Sequence, residues 1–179
     1  MKRIIFVSHC ILNTASKVEQ DEAGLEGEYR ERRRLMELVL EKDVQIVQLP
    51  CPEFQIMGSR RWGHVRDQFD NPFFRSRCRE MLEPFLLEME EYCSRPDRFR
   101  ILGVVSVEGS PSCGHGLTCR GDWRGEVETE DRFREIRGDL KMTEEPGVFI
   151  EVLENELRSR ALDIPVLSMD SMCKVISGL

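Results

Sequence analysis

The chain has no apolar run of membrane-spanning length, no excess of positive charge, no Cys-x-x-C pair and no internal repeat. Near the N-terminus, Ile4-Ile5-Phe6-Val7 stops at Ser8-His9. Two basic residues ahead of so short a run do not make a signal peptide, and a membrane span needs roughly 20 apolar residues. The stretch reads as a strand, and the expected location is cytoplasmic. The charge balance is acidic, with Lys+Arg 26 against Asp+Glu 33 and a net charge of -7. Sequence-independent binding to nucleic acid asks for clustered cations, and Arg60, Arg61 and Arg66 could form a local basic patch at most. Neither nucleic acid nor a membrane is therefore an expected partner, and oligomeric state is not legible. The missing Cys-x-x-C pairs remove the commonest signature of a structural zinc. With no repeats and no low-complexity tract, 179 residues suit one domain over 1–179 with a real core.

What the chain has in quantity is cysteine. Seven is an odd and generous number for a reducing compartment, where thiols more often mean metal or catalysis than disulfides. Three of them follow strand-like runs. Ile4–His9 runs into Cys10, Val44–Pro50 into Cys51, and the Val-rich Ile101–Val107 into the small-residue turn Glu108-Gly109-Ser110-Pro111-Ser112-Cys113-Gly114. Short apolar runs of this kind read as strands buried on both faces.

Between them lie helical patterns. Leu35, Leu38, Val39 and Leu40 recur among charges in Leu25–Lys42, and Met81, Leu82, Phe85, Leu86 and Met89 recur in Phe73–Tyr92. Pro84 inside the second pattern predicts a kink or break. A third helix is expected over Val148–Ala161, and a last strand, Ile164–Met169, ends at Asp170-Ser171. Residues 114–145, rich in Gly and charge, read as an irregular insertion over the site with a short helix or hairpin. Strands alternating with helices imply a single-domain α/β fold. The expected form is a Rossmann-like three-layer sandwich around a mainly parallel four-stranded sheet. Ligands in such sheets sit beyond the carboxyl ends of the strands, the edge where all three cysteines fall.

Three thiolates converging on one rim could hold a metal, the plainer reading being three unrelated strand-end thiols. A zinc usually takes four ligands, and an iron–sulfur cluster usually takes four cysteines. A cluster held by three leaves one iron open to act as a Lewis acid. A metal-free nucleophile at Cys113 remains the third option. Gly109, Ser110, Ser112 and Gly114 permit a tight turn whose backbone N–H groups can face an anionic centre.

The motifs Ser8-His9-Cys10, Cys51-Pro52-Glu53 followed by Gly58, and Ser110-Pro111-Ser112-Cys113-Gly114 resemble those of the thiouracil desulfidase family. The resemblance covers nearly the whole chain, and Ser-Pro-Ser-Cys-Gly after a Val-rich strand is its most specific part. Where the family's first motif continues Leu-Leu-Gly, this chain has Ile11-Leu12-Asn13-Thr14, which marks a divergent subfamily. The resemblance implies a [4Fe-4S] cluster held by Cys10, Cys51 and Cys113. It also implies a small thiolated substrate such as a thio-nucleobase, whose sulfur leaves as hydrogen sulfide while water supplies oxygen. Glu53 matches the family's acidic residue and is assigned proton transfer. Ser110 matches its serine, a candidate to hold substrate or water. Ser112, Arg60, Arg61 and His9 are candidate substrate contacts, with Arg60 and Arg61 suited to clamp an anionic or carbonyl group. The alternatives are a non-catalytic iron–sulfur or zinc-binding module and a metal-free Cys-dependent hydrolase.

The remaining cysteines carry plainer expectations. Cys78, Cys93 and Cys173 read as small core hydrophobes. Cys119 forms Cys-x-His-x-x-x-Cys with Cys113 and His115, and reads as loop decoration rather than a zinc ligand.

Overall fold

Alternation along the first strand sets the layers. A computed structural model describes residues 1–179, Glu22 through its backbone only. Strand β1 (Lys2–Val7) sends Ile4 and Phe6 to one face of the sheet and Ile5 and Val7 to the other. On the first face they pack with Leu82 and Leu86 of α5 (Pro72–Ser94) and Phe149 and Leu153 of α7 (Val148–Ser159). On the second they meet Leu35 and Val39 of α2 (Glu22–Glu41) and Met172 and Ile176 of α8 (Met169–Ser177). Helices thus cover both faces of a sheet that is apolar on both, the Rossmann-like three-layer α/β arrangement.

The sheet order is β2-β1-β3-β6, all parallel, with β2 (Val44–Gln48), β3 (Phe99–Val105) and β6 (Val166–Leu167). The chain steps from β1 to one neighbour, then returns to the other side of β1. The strand order reverses between β1 and β3, and a crevice opens beyond their carboxyl ends. Where β1 meets β3 the register slips, so that Ile4 faces Ile101 and Ile5 faces Gly103. Gly103 has φ +151, and a Cβ there would stand 2.7 Å from the Pro165 carbonyl oxygen. Only glycine lets β6 close on β3 at this bulge; a side chain would add about 1–3 kcal/mol of backbone strain to the clash.

Three expectations change. Helix α5 runs unbroken through Pro84, which lies on the exposed side, where the freed carbonyl of the preceding turn can bond water. Its start matches the sequence well: the Asn71 side chain accepts the N–H groups of Phe73 and Phe74, and Pro72 occupies the first helical position. The last strand is only β6, because Ser168 caps α8 by accepting the N–H of Ser171 at 3.2 Å and turns the following residues helical. Cys93 is exposed in the last turn of α5, whereas Cys78 and Cys173 are core residues as expected.

Segment 114–145 contains both a helix and a strand pair. β4 (Thr118–Arg120) pairs antiparallel with β5 (Lys141–Thr143), and α6 (Glu130–Gly138) lies between them in sequence. Buried Arg66, in α4 (Arg66–Phe69), ties it down. Its Nη2 donates to Glu151 Oε2 at 2.6 Å on α7, and its Nε to Glu145 Oε2 at 3.3 Å. Arg120 extends the network to Asp67 at 3.1 Å. Among the described residues, no helix is long and apolar enough to cross a membrane.

Candidate functional site

Each of the three strand ends delivers its cysteine by a different local device. After β1, buried Ser8 donates its hydroxyl to the Val105 carbonyl at 3.0 Å, and the chain turns into the short helix α1 (His9–Leu12) with Cys10 in its first turn. Arg32 from α2 closes the other end of α1. Its Nε donates to the Ile11 carbonyl at 2.5 Å and its Nη2 to that of Leu12 at 3.3 Å. After β2, Cys51 is the N-cap of α3 (Pro52–Met57), and its sulfur accepts the N–H of Phe54 at 3.3 Å. Pro52 at the first helical position leaves no donor wasted there.

Cys113 lies in the loop after β3, held from two sides. The Ser110 hydroxyl accepts the N–H groups of Ser112 at 3.3 Å and Cys113 at 3.0 Å, a side-chain turn of the kind serine makes readily. From outside, the start of α7 docks on the loop. Gly147 N donates to Gly114 O at 2.8 Å, Val148 N to Pro111 O at 3.0 Å and Phe149 N to Ser112 O at 3.0 Å. These first-turn donors have no partner within their own helix, so the loop's carbonyls complete the helix while the helix fixes the loop. A Cβ on Gly147 would stand 2.5 Å from the Ser112 carbonyl carbon, which is why this contact needs glycine.

Cys10, Cys51 and Cys113 line one cavity of about 460 Å³, together with Glu53, Arg61, Ser110 and Ser112. Glu53 is buried, and Ser112 Oγ donates to its Oε1 at 2.5 Å. The same hydroxyl oxygen lies 3.4 Å from Cys113 Sγ and 3.3 Å from Ser110 Oγ. A hydroxyl has one proton, so a bond given to Glu53 leaves Ser112 Oγ free to accept from Cys113 or Ser110. Arg61 completes the row. Its Nε stands 3.4 Å from Glu53 Oε2, an ion pair by distance though not by hydrogen-bond geometry. Its other nitrogens donate to Ser16 O at 2.7 Å and Gly58 O at 3.1 Å, joining two loops of the cavity wall.

Arg60 is exposed, and neither it nor His9 is on the cavity wall. Two wall residues were not singled out as site residues from the sequence. Cys119, on β4, faces the cavity as a fourth thiol. Lys17 lines it with its side chain only 9% exposed, paired to Glu28 at 2.6 Å. Its one visible signal is being the only lysine between Lys2 and Lys42.

Burial pushes the Cys10 thiol up to about 12, against the pull of the Lys17 ammonium. Burial raises Cys113 well above the ordinary thiol value, and Cys51 and Cys10 raise it further. Cys51 is raised too, in spite of the Phe54 N–H. All three thiols are therefore protonated at neutral pH, the reverse of what a free nucleophile needs. A pulse of iodoacetamide at pH 8, read by peptide mapping, will modify exposed Cys93 first and Cys10 and Cys113 last. Raising the pH to about 9.5 will leave that order unchanged, because Cys10 gives up its proton only near 12. Metal uptake at these thiols will release protons and tighten as pH rises.

Among the described residues, no three His, Cys, Asp or Glu side chains stand close enough to share a single ion. The cysteines of a cluster bind different irons, so a one-ion arrangement is not a requirement for such a group.

No family model matches the chain, and no solved structure does. Over 112 residues the chain is 35% identical to the uncharacterized protein MJ0003 of Methanocaldococcus jannaschii, a match spanning 63% of this chain and 67% of the archaeal one. The chain belongs to the same family as that archaeal protein.

Proposed function

We propose that this protein is a non-redox desulfidase. It replaces the sulfur of a small thiolated compound by oxygen, with Cys10, Cys51 and Cys113 holding a [4Fe-4S] cluster. The observation that carries the reading is the convergence of those thiols, from three separate strand ends, on one cavity that also holds the Glu53–Ser112 pair. When bound there, such a cluster supplies an iron with an open position, a Lewis acid for the thiocarbonyl sulfur.

The rest of the work falls to side chains. The balance is a thiocarbonyl plus water giving a carbonyl plus hydrogen sulfide, with no change of oxidation state. Water must lose protons and the departing sulfur must gain them, so one group has to hold a proton in between. Glu53 is the cavity carboxylate that meets Ser112, on Oε1, with Arg61 beside Oε2. Ser112 orients the attacking water or the substrate through its oxygen, and Ser110 holds the turn that puts Ser112 and Cys113 in place. Lys17 brings a buried positive charge to the same cavity, suited to an anionic sulfur leaving it.

A metal-free hydrolase fits less well, because burial raises rather than lowers the pKa of the candidate nucleophile. A carrier module has no use for the buried Glu53. The acidic chain suits a free heterocycle rather than a nucleic acid, and an open iron suits a reducing, cytoplasmic setting. The direct test is anaerobic incubation of reconstituted protein with 2-thiouracil. Stoichiometric uracil and sulfide are expected; iron-loaded protein that forms neither from this or other thio-heterocycles overturns the reading.

A further inference from the structure

Beside the cysteine cavity lies a second, larger one of about 750 Å³, which the reaction above does not use. Its walls come from the loop before α4 and from segment 114–145. They carry both tryptophans of the chain, Trp62 and Trp123, with Phe133 and Leu140. Trp62 is 83% exposed. Trp123 already donates its Nε1 hydrogen to the Ile136 carbonyl at 3.0 Å, so apolar ring surface is what it has left to offer a ligand. Exposed aromatic surface gathered around a concavity marks a place for another molecule rather than a packing defect.

The two cavities share a wall made by Gly63 and His64. A Cβ built on Gly63 would meet nothing within 4 Å, so there is room at this wall. His64 stacks on Phe69 with ring centroids 4.9 Å apart, and its Nδ1 is buried with no partner among the described residues. A buried ring nitrogen left unpaired is costly unless something polar reaches it. A single heterocyclic ring needs only the first cavity. A ligand that fills both would pass over His64, which lines the two cavities.

We infer that the substrate has two parts. One is a thiocarbonyl heterocycle that reaches the cysteines; the other is a planar apolar arm that packs against Trp62, Trp123 and Phe133. The first part rests on the desulfidase reading, whereas the second cavity stands on its own geometry. Arg124 and Arg137 line the cavity as well, so the arm is neutral or anionic rather than cationic.

Titration of the full chain with 2-thiouracil and with 6-benzyl-2-thiouracil, followed by tryptophan fluorescence, tests this. The benzyl compound will bind about tenfold tighter or better. Trp62→Ala will erase that advantage and leave the affinity for 2-thiouracil unchanged. Trp62 is outside the core, so the substitution spares the fold, and Trp123 continues to report. Equal affinities, or an advantage that survives in Trp62→Ala, overturn the inference. The sulfur-free 6-benzyluracil separates the two readings. Its tight, Trp62-dependent binding supports the arm site even where neither thiouracil releases sulfide. Sulfide release from 2-thiouracil with no benzyl advantage upholds the desulfidase and overturns the arm.

Discussion

Protein reconstituted without oxygen will hold roughly four iron and four acid-labile sulfide per chain, and Cys113→Ala will hold little of either. The effect is all-or-none because Cys113 is one of only three proposed ligands, and the loop that carries it is held on two sides. Its own N–H is held by Ser110, and the loop around it is pinned by the first turn of α7. Two remaining thiols cannot close the site. Loss of iron through misfolding is separated from loss of a ligand by Cys78→Ala. That change removes another fully buried sulfur, from the α5 face of the core and outside the cavity, so iron content stays at the level of the unchanged protein. About one zinc per chain in place of iron would move the site to a structural or carrier role, and no metal in any preparation would return it to bare thiols.

Glu53→Gln will cut sulfide release by about 10²–10⁴-fold, the usual contribution of a positioned acid–base group, and leave iron content untouched. The amide keeps the size of the carboxylate and can still meet Ser112 Oγ, so the cavity keeps its shape. It cannot take a proton from water or pass one to sulfur. The carboxylate's charge toward Arg61 Nε, at 3.4 Å, is lost as well, but Arg61 remains held by Ser16 and Gly58. Iron and turnover measured on the same sample separate a carrier from an enzyme. A carrier would lose neither, a broken cluster site would lose both, and the proposed enzyme loses turnover alone.

The parts of the fold that were legible are those whose physics is local. Parallel strands buried on both faces must be apolar at every position, and so Ile4–Val7 and Ile101–Val107 stand out among charged neighbours. Once three strands are placed in a parallel sheet, their carboxyl ends share an edge, and the cysteines that follow them share it too. What was not legible depends on contacts distant in sequence. Ser168 reads as the end of a strand or the cap of a helix with equal ease, and α8 is decided by Met172, Cys173 and Ile176 finding α2 across the sheet face. Cys119 looked like loop decoration because nothing local shows that β4 pairs with β5 and lies against the cavity. Lys17 sits in a polar loop, and its value depends on a burial that only the folded chain creates. The second cavity joins residues near 62 to residues near 133, and no spacing rule links them.

The bond from Gly147 N to Gly114 O, 2.8 Å long, closes the chain on itself around everything between those two residues. A stretch that leaves and returns at one point can change length at little thermodynamic cost, about 0.6 kcal/mol for each doubling of a flexible loop. Its first residues are tied back to the cysteine loop, Gly109 N donating to Leu117 O at 2.9 Å and Thr118 Oγ1 to Ser110 O at 3.1 Å. The part free to change composition therefore lies between β4 and β5. Cys10, Cys51, Cys113, Glu53 and Arg61 all lie outside that excursion, whereas Trp123, Phe133 and Arg137 lie inside it. The molecule is thus built as a fixed cysteine chamber with an interchangeable cassette between β4 and β5. Grafting a different segment between Arg120 and Lys141 would rebuild the walls of the second cavity and leave the cysteine cavity as it is.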